Sequence, residues 1–176
     1  MLSAFLRILQ LAAAITSAEV PPERATSAAL AIVSTAGEYP PALVAAVAFG
    51  ESRFQPDAKS APVVKMRCDA SGCREVTYWD CGPMQVRTSS PSRCRRLRTD
   101  ARYGYAAGVQ RLRDARDFCE RRGDATLACA IAGYQGGPEG VAAYRRGVRW
   151  TTEKRQALLE RAAEIHARAG WSVSDA

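Results

Sequence analysis

The chain has 176 residues, 47% of them apolar, with 25 Lys plus Arg against 18 Asp plus Glu and a net charge of +7. Such a length suits one domain with a modest core, and the apolar share excludes disorder throughout. No uncharged apolar run reaches the roughly 18 residues of a membrane-spanning helix, because Arg7 and Gln10 interrupt the one candidate, so a polytopic membrane protein is excluded too.

Residues 1–18 carry one positive charge, an apolar stretch from position 8 to 15, and the small residues Thr16-Ser17-Ala18. This segment reads either as a signal peptide or as an amphipathic first helix packed on the domain. After Pro21-Pro22, residues 23–37 are expected to form a helix carrying Ala29, Leu30, Ile32 and Val33. Pro40-Pro41 opens the next, with Leu43, Val44, Val47 and Ala48 at helical spacing. The pattern changes over residues 62–86, where Val63-Val64, the cluster Asp69-Ala70-Ser71-Gly72, and Val76 to Trp79 predict a small hairpin.

Thr99 is placed to cap a helix over 100–122, with Tyr105, Val109, Leu112 and Cys119 on its apolar face and arginines opposite. Asp124 is placed to cap a short helix bearing Leu127 and Ile131. Gly136-Gly137 breaks it before a further helix over 139–146, and residues 151–169 form the last, with Leu158, Leu159, Ala162 and Ile165 facing the core. The expected class is α+β and mostly helical.

Of the basic residues 22 are Arg, and residues 87–122 hold 11 of them against Asp100, Asp114, Asp117 and Glu120. That window nets +7, so the whole excess of charge lies in it. An anionic partner is implied, whether nucleic acid, anionic lipid or the acidic peptides of bacterial wall polymer; a solvated helix face is the alternative. The six cysteines, at 68, 73, 81, 94, 119 and 129, are even in number and dense, which favours disulfides made in an oxidising compartment. Zinc is disfavoured because no C-x-x-C pair exists and the single histidine, His166, is remote. Fifteen connectivities are open to six cysteines; local pairing (68 with 73, 81 with 94, 119 with 129) is the expectation.

Glu51 follows Val47 by four positions and Leu43 by eight, so helical geometry turns it toward the side those apolar groups occupy. It also stands at the C-terminal end of its helix, where the macrodipole disfavours negative charge. Burial acts in the same sense, and both raise its pKa. A carboxylic acid kept protonated near neutrality can donate to a leaving oxygen.

Glu51-Ser52-Arg53-Phe54, then Gly82-Pro83-Met84-Gln85-Val86, then Ala132-Gly133-Tyr134-Gln135-Gly136-Gly137-Pro138 together resemble the lytic transglycosylase branch of the lysozyme-like superfamily, whose pattern is E-S, G-L-M-Q and A-Y-N. The resemblance covers about residues 40–147. It implies a lysozyme-like fold with a small hairpin beside the active-site cleft, occupying residues 23–170. It also implies cleavage of the β-1,4 bond between N-acetylmuramic acid and N-acetylglucosamine in peptidoglycan, with formation of 1,6-anhydromuramic acid. Glu51 is then the general acid/base, while Ser52, Met84, Gln85, Tyr134 and Gln135 contact substrate, with Tyr134 aimed at Glu51 or the sugar. No cofactor or metal is implied. Three departures stand out: Pro83 for Leu, Gln135 for Asn, and 31 positions between Glu51 and Gly82, longer than the family's usual gap.

Asp80-Cys81-Gly82-Pro83-Met84-Gln85 is also similar to the D-x-G-x-x-Q segment of animal-type lysozymes, where the Asp is the second catalytic carboxylate. A retaining hydrolase, a lysozyme using Glu51 and Asp80, is therefore the alternative, feasible if the two carboxyl groups lie about 5–5.5 Å apart. An Arg-rich nucleic-acid binder fits less well, since residues 87–122 lack the aromatic interleaving of single-strand binders. A non-catalytic wall-binding module is the remaining reading. The expected partner is the glycan strand of peptidoglycan, with no nucleic acid and no membrane span. The expected site of action is the periplasm or the exterior, for a bacterial or phage-encoded protein working as a monomer or within a wall-penetrating assembly.

Overall fold

The computed structural model describes residues 2–171; Met1, the first residue of the segment read as signal peptide or first helix, lies outside them. Helix α1, Leu2–Ile15, buries Leu11, Ala12, Ala14 and Ile15 against α2, Pro22–Thr35, and leaves Phe5, Leu6 and Leu9 exposed. Each of α2 and α3, Pro41–Ser52, begins on a proline whose missing N–H would have had no helical partner. The apolar stripe expected on α3 is in fact a complete jacket: all seven residues from Ala42 to Ala48 are buried. A helix apolar on all sides is buried within the fold, and the last helix of the chain, α2 and α1 pack against it. Of the apolar residues that α2 carries, Ala29 and Ile32 are buried and Leu30 is exposed.

The hairpin is the outer part of a three-stranded antiparallel sheet, β1 Val63–Asp69, β2 Gly72–Cys81 and β3 Val86–Thr88, in that order. Register pairs Cys68 with Cys73 and Asp80 with Arg87. Helix α4, Pro91–Thr99, has no counterpart in the sequence reading, because four arginines obscure its two core contacts, Cys94 and Leu97. Its start is nonetheless written in Ser90-Pro91, where the serine side chain accepts from Arg93 N.

Helix α5, Ala101–Glu120, is capped by Asp100, which accepts from Tyr103 N, and not by Thr99, whose hydroxyl donates back to Arg95 O within α4. Thr126 likewise replaces Asp124 as the cap of α6, Leu127–Arg145, and Asp124 organises the turn before it. The two helices expected around Gly136-Gly137 form one run kinked at Gly137, whose φ of 59° is a left-handed value. Helix α7, Arg149–Arg168, buries Leu158 and Ile165 and packs on α3. The mostly helical α+β class is as expected.

All six cysteines form the three local disulfides. Cys81–Cys94 joins β2 to α4, and Cys119–Cys129 joins the end of α5 to the start of α6. The turn after β2 depends on Gly82: its φ is +77°, and a Cβ there would lie 2.4 Å from the carbonyl oxygen of Leu97. Alanine at this position adds left-handed strain to a backbone clash. Gly82→Ala is expected to lose about 2–4 kcal/mol of stability, read as a lower denaturant midpoint.

Candidate active site

Glu51 stands in the last turn of α3, one turn beyond the fully buried stretch, and its side chain is half-buried where the core gives way to solvent. It lines a groove of about 460 Å³ together with Phe49, Gln135, Lys154, Leu158 and Arg161. No described residue forms a hydrogen bond or ion pair with its carboxyl group. Burial is the main cause that holds its pKa above the ordinary glutamate value; Arg111 opposes this, the charge of Asp80 adds to it, and Lys154 opposes it. A second groove of about 440 Å³ begins at Arg87 and Arg111 and is walled by Tyr103 and Gln110.

The three motifs meet through backbone carbonyls. Ser52 Oγ donates to Pro83 O at 2.7 Å, stitching the end of α3 to the turn after β2. Tyr134 is buried in α6, and its hydroxyl donates to Met84 O, not to Glu51 or to the groove as expected. Burial raises the Tyr134 pKa, so the hydroxyl stays a donor. Met84 itself is 0% exposed, with its sulfur 2.3 Å from where a Cβ on Gly108 would lie. It therefore supports the cleft from beneath and offers no surface to a ligand. Gln85 donates from Nε2 to Gly82 O at 2.9 Å, leaving its amide oxygen available, and Gln135 lines the groove beside Glu51.

Among the described residues, non-glycine positive φ occurs at Arg53, Phe54 and Gln85, all inside the first two motifs. Such strain persists where surrounding structure holds it, and it concentrates at functional sites. Asp80 faces Arg87 across the β2–β3 ladder, and both its carboxylate oxygens are engaged, by Nε at 2.9 Å and by Nη2 at 2.8 Å.

Sequence reasoning missed three cations of this site. Arg111 donates to Tyr134 O at 2.8 Å and biases Glu51 from α5. Arg87 clamps Asp80, a pairing that hairpin register would have revealed had β3 been placed. Lys154 reaches the groove from α7, with no local sequence signal to mark it.

The model of the family described as "transglycosylase SLT domain" matches residues 29–157, which contain all three motifs and Glu51. The chain belongs to this family. As a transglycosylase SLT domain it falls among lytic transglycosylase-type enzymes that act on peptidoglycan. The match reaches beyond the motifs to the second half of α2 and the first half of α7, two helices that pack on α3. No curated protein and no solved structure matches the chain significantly.

The bond from Tyr134 to Met84 O joins the last motif of this SLT domain to the second. Tyr134→Phe leaves a buried carbonyl unpaired and is expected to lose about 1–3 kcal/mol of stability in denaturant unfolding.

Proposed function

We propose that the protein is a peptidoglycan lytic transglycosylase in which Glu51 is the single acid/base. In the first half of the reaction Glu51 gives its proton to the glycosidic oxygen as the bond from that oxygen to the anomeric carbon of N-acetylmuramic acid breaks. The sugar's own C6 hydroxyl then attacks the anomeric carbon and passes its proton to the Glu51 carboxylate. A 1,6-anhydro ring forms, no water is consumed, and the acid is regenerated.

The observation that carries this reading is the pairing of one groove-lining carboxyl, whose pKa burial raises, with a neighbouring carboxylate that is fully engaged. A hydrolase needs a second carboxylate free to attack or to activate water. With both its oxygens on Arg87, Asp80 is poorly disposed to do either, which supports transglycosylation over the lysozyme alternative. Gln135 beside Glu51 and the open amide oxygen of Gln85 are suited to sugar hydroxyl and N-acetyl groups. Ser52, Met84 and Tyr134 act in this proposal by positioning the cleft. The three disulfides support action outside the cytoplasm, in the periplasm or after secretion.

Mass spectrometry of fragments released from purified wall sacculi tests the proposal. Wild type is expected to release anhydromuramyl ends, and Glu51→Gln to slow release by about 10²- to 10⁴-fold. Because the first step needs the protonated acid, the rate falls as pH rises through the elevated Glu51 pKa. Reducing ends that disappear in Asp80→Asn would instead establish the hydrolase.

A further inference from the structure

Beside the sheet lies a pocket that the proposed chemistry does not use. It has a volume of about 200 Å³ and is lined by Lys59, Trp79, Pro91, Cys94, Arg95 and Arg98, three cations and no acid. It shares no lining residue with either groove of the candidate active site. Trp79 and Asp80 are consecutive in β2, so their side chains point to opposite faces of the sheet. The pocket is therefore behind the face that carries Asp80.

The arrangement is fixed at one covalent point. Lys59 is bridged to Cys81, and Cys81 is bonded to Cys94 of α4, so all three walls converge on one disulfide. The Lys59 ammonium sits 5.1 Å over the Trp79 ring, held by cation–π attraction. Arg98 donates from Nε to Asp57 O, which orients the guanidinium and leaves its terminal nitrogens for a ligand. No ion pair to an acidic side chain is formed by Lys59, Arg95 or Arg98 among the described residues. Within residues 87–122, by contrast, Arg113 and Arg116 pair with Glu38, and Arg87 with Asp80. Helix α4 itself carries four arginines and no acidic residue.

We propose that this pocket is a second binding site, for the carboxylates of the acidic peptides attached to the wall polymer. The proposal takes the identity of that polymer from the function proposed above. Guanidinium forks and a fixed ammonium bind carboxylates by charge-assisted hydrogen bonds. The polymer presents peptides along the same strands that enter the cleft, so pocket and cleft engage one meshwork together and gain by avidity.

The test uses the full chain carrying Glu51→Gln, so that the wall is not consumed, and measures its binding to three preparations. These are intact sacculi, glycan strands stripped of peptide by an amidase, and sacculi stripped of phosphate-bearing accessory polymers by hydrofluoric acid. Adding Arg95→Ala and Arg98→Ala is expected to weaken binding to intact sacculi by about tenfold, as loss of two exposed charge-assisted contacts implies, and to leave binding to peptide-free strands unchanged. Lys59→Gln with Arg95→Gln, which spares the Arg98 bond to Asp57, gives the same loss if the pocket is the cause and guards against misfolding of α4. Phosphate removal is expected to change nothing. Equal binding by pocket variants and parent overturns the proposal, as does a loss that tracks phosphate removal. Failure of the Glu51 assignment is seen separately, as fragment release by Glu51→Gln itself.

Discussion

Burial at the end of α3 strips the Glu51 carboxyl of much of its water and so disfavours its charged form. Seven consecutive residues of α3 are buried, and Glu51 follows one turn later as a lining residue of a groove. Nothing among the described residues offers it a hydrogen bond, while Arg111 and Lys154 limit how far burial can raise its pKa. Desolvation thus favours the protonated form while the two cations oppose it. Helix packing fixes this balance, which is why α2 and α7, with no groove chemistry of their own beyond Lys154 and Arg161, belong to the functional unit.

In the proposed mechanism the three motifs serve Glu51 indirectly. Ser52 reaches Pro83 O and Tyr134 reaches Met84 O, so one turn of backbone after β2 receives a hydroxyl from each of the other two motifs. The strained residues Arg53, Phe54 and Gln85 sit at the junctions. Removing Gly82, Ser52 or Tyr134 from this arrangement moves the floor of the cleft without touching a sugar. The substitution of Pro83 for the family's leucine is compatible with it, because the contact with Ser52 is made by a carbonyl that every residue possesses.

Much of this was legible in the chain. Helical spacing placed Glu51 on the buried side, proline pairs marked the starts of α2 and α3, and local cysteine spacing anticipated all three disulfides. What escaped is physical in kind. Helix α4 was hidden because Cys94 and Leu97 alone contact the core, so its periodicity is drowned by arginines. Caps were displaced by one or two residues, since Thr99 and Asp100, or Asp124 and Thr126, are equally able acceptors until the fold chooses. The roles of Tyr134 and Arg87 depend on partners 50 and 7 positions away, which no local pattern specifies.

Desolvation raises the Glu51 pKa above that of an ordinary glutamate. A carbon-13 NMR titration of its side-chain carboxyl, assigned by comparison with Glu51→Gln, measures this directly. The account predicts a midpoint above the value of an exposed glutamate, and a further rise when Arg111 is replaced by glutamine, since that cation now opposes the shift. A midpoint at or below the exposed value would contradict it.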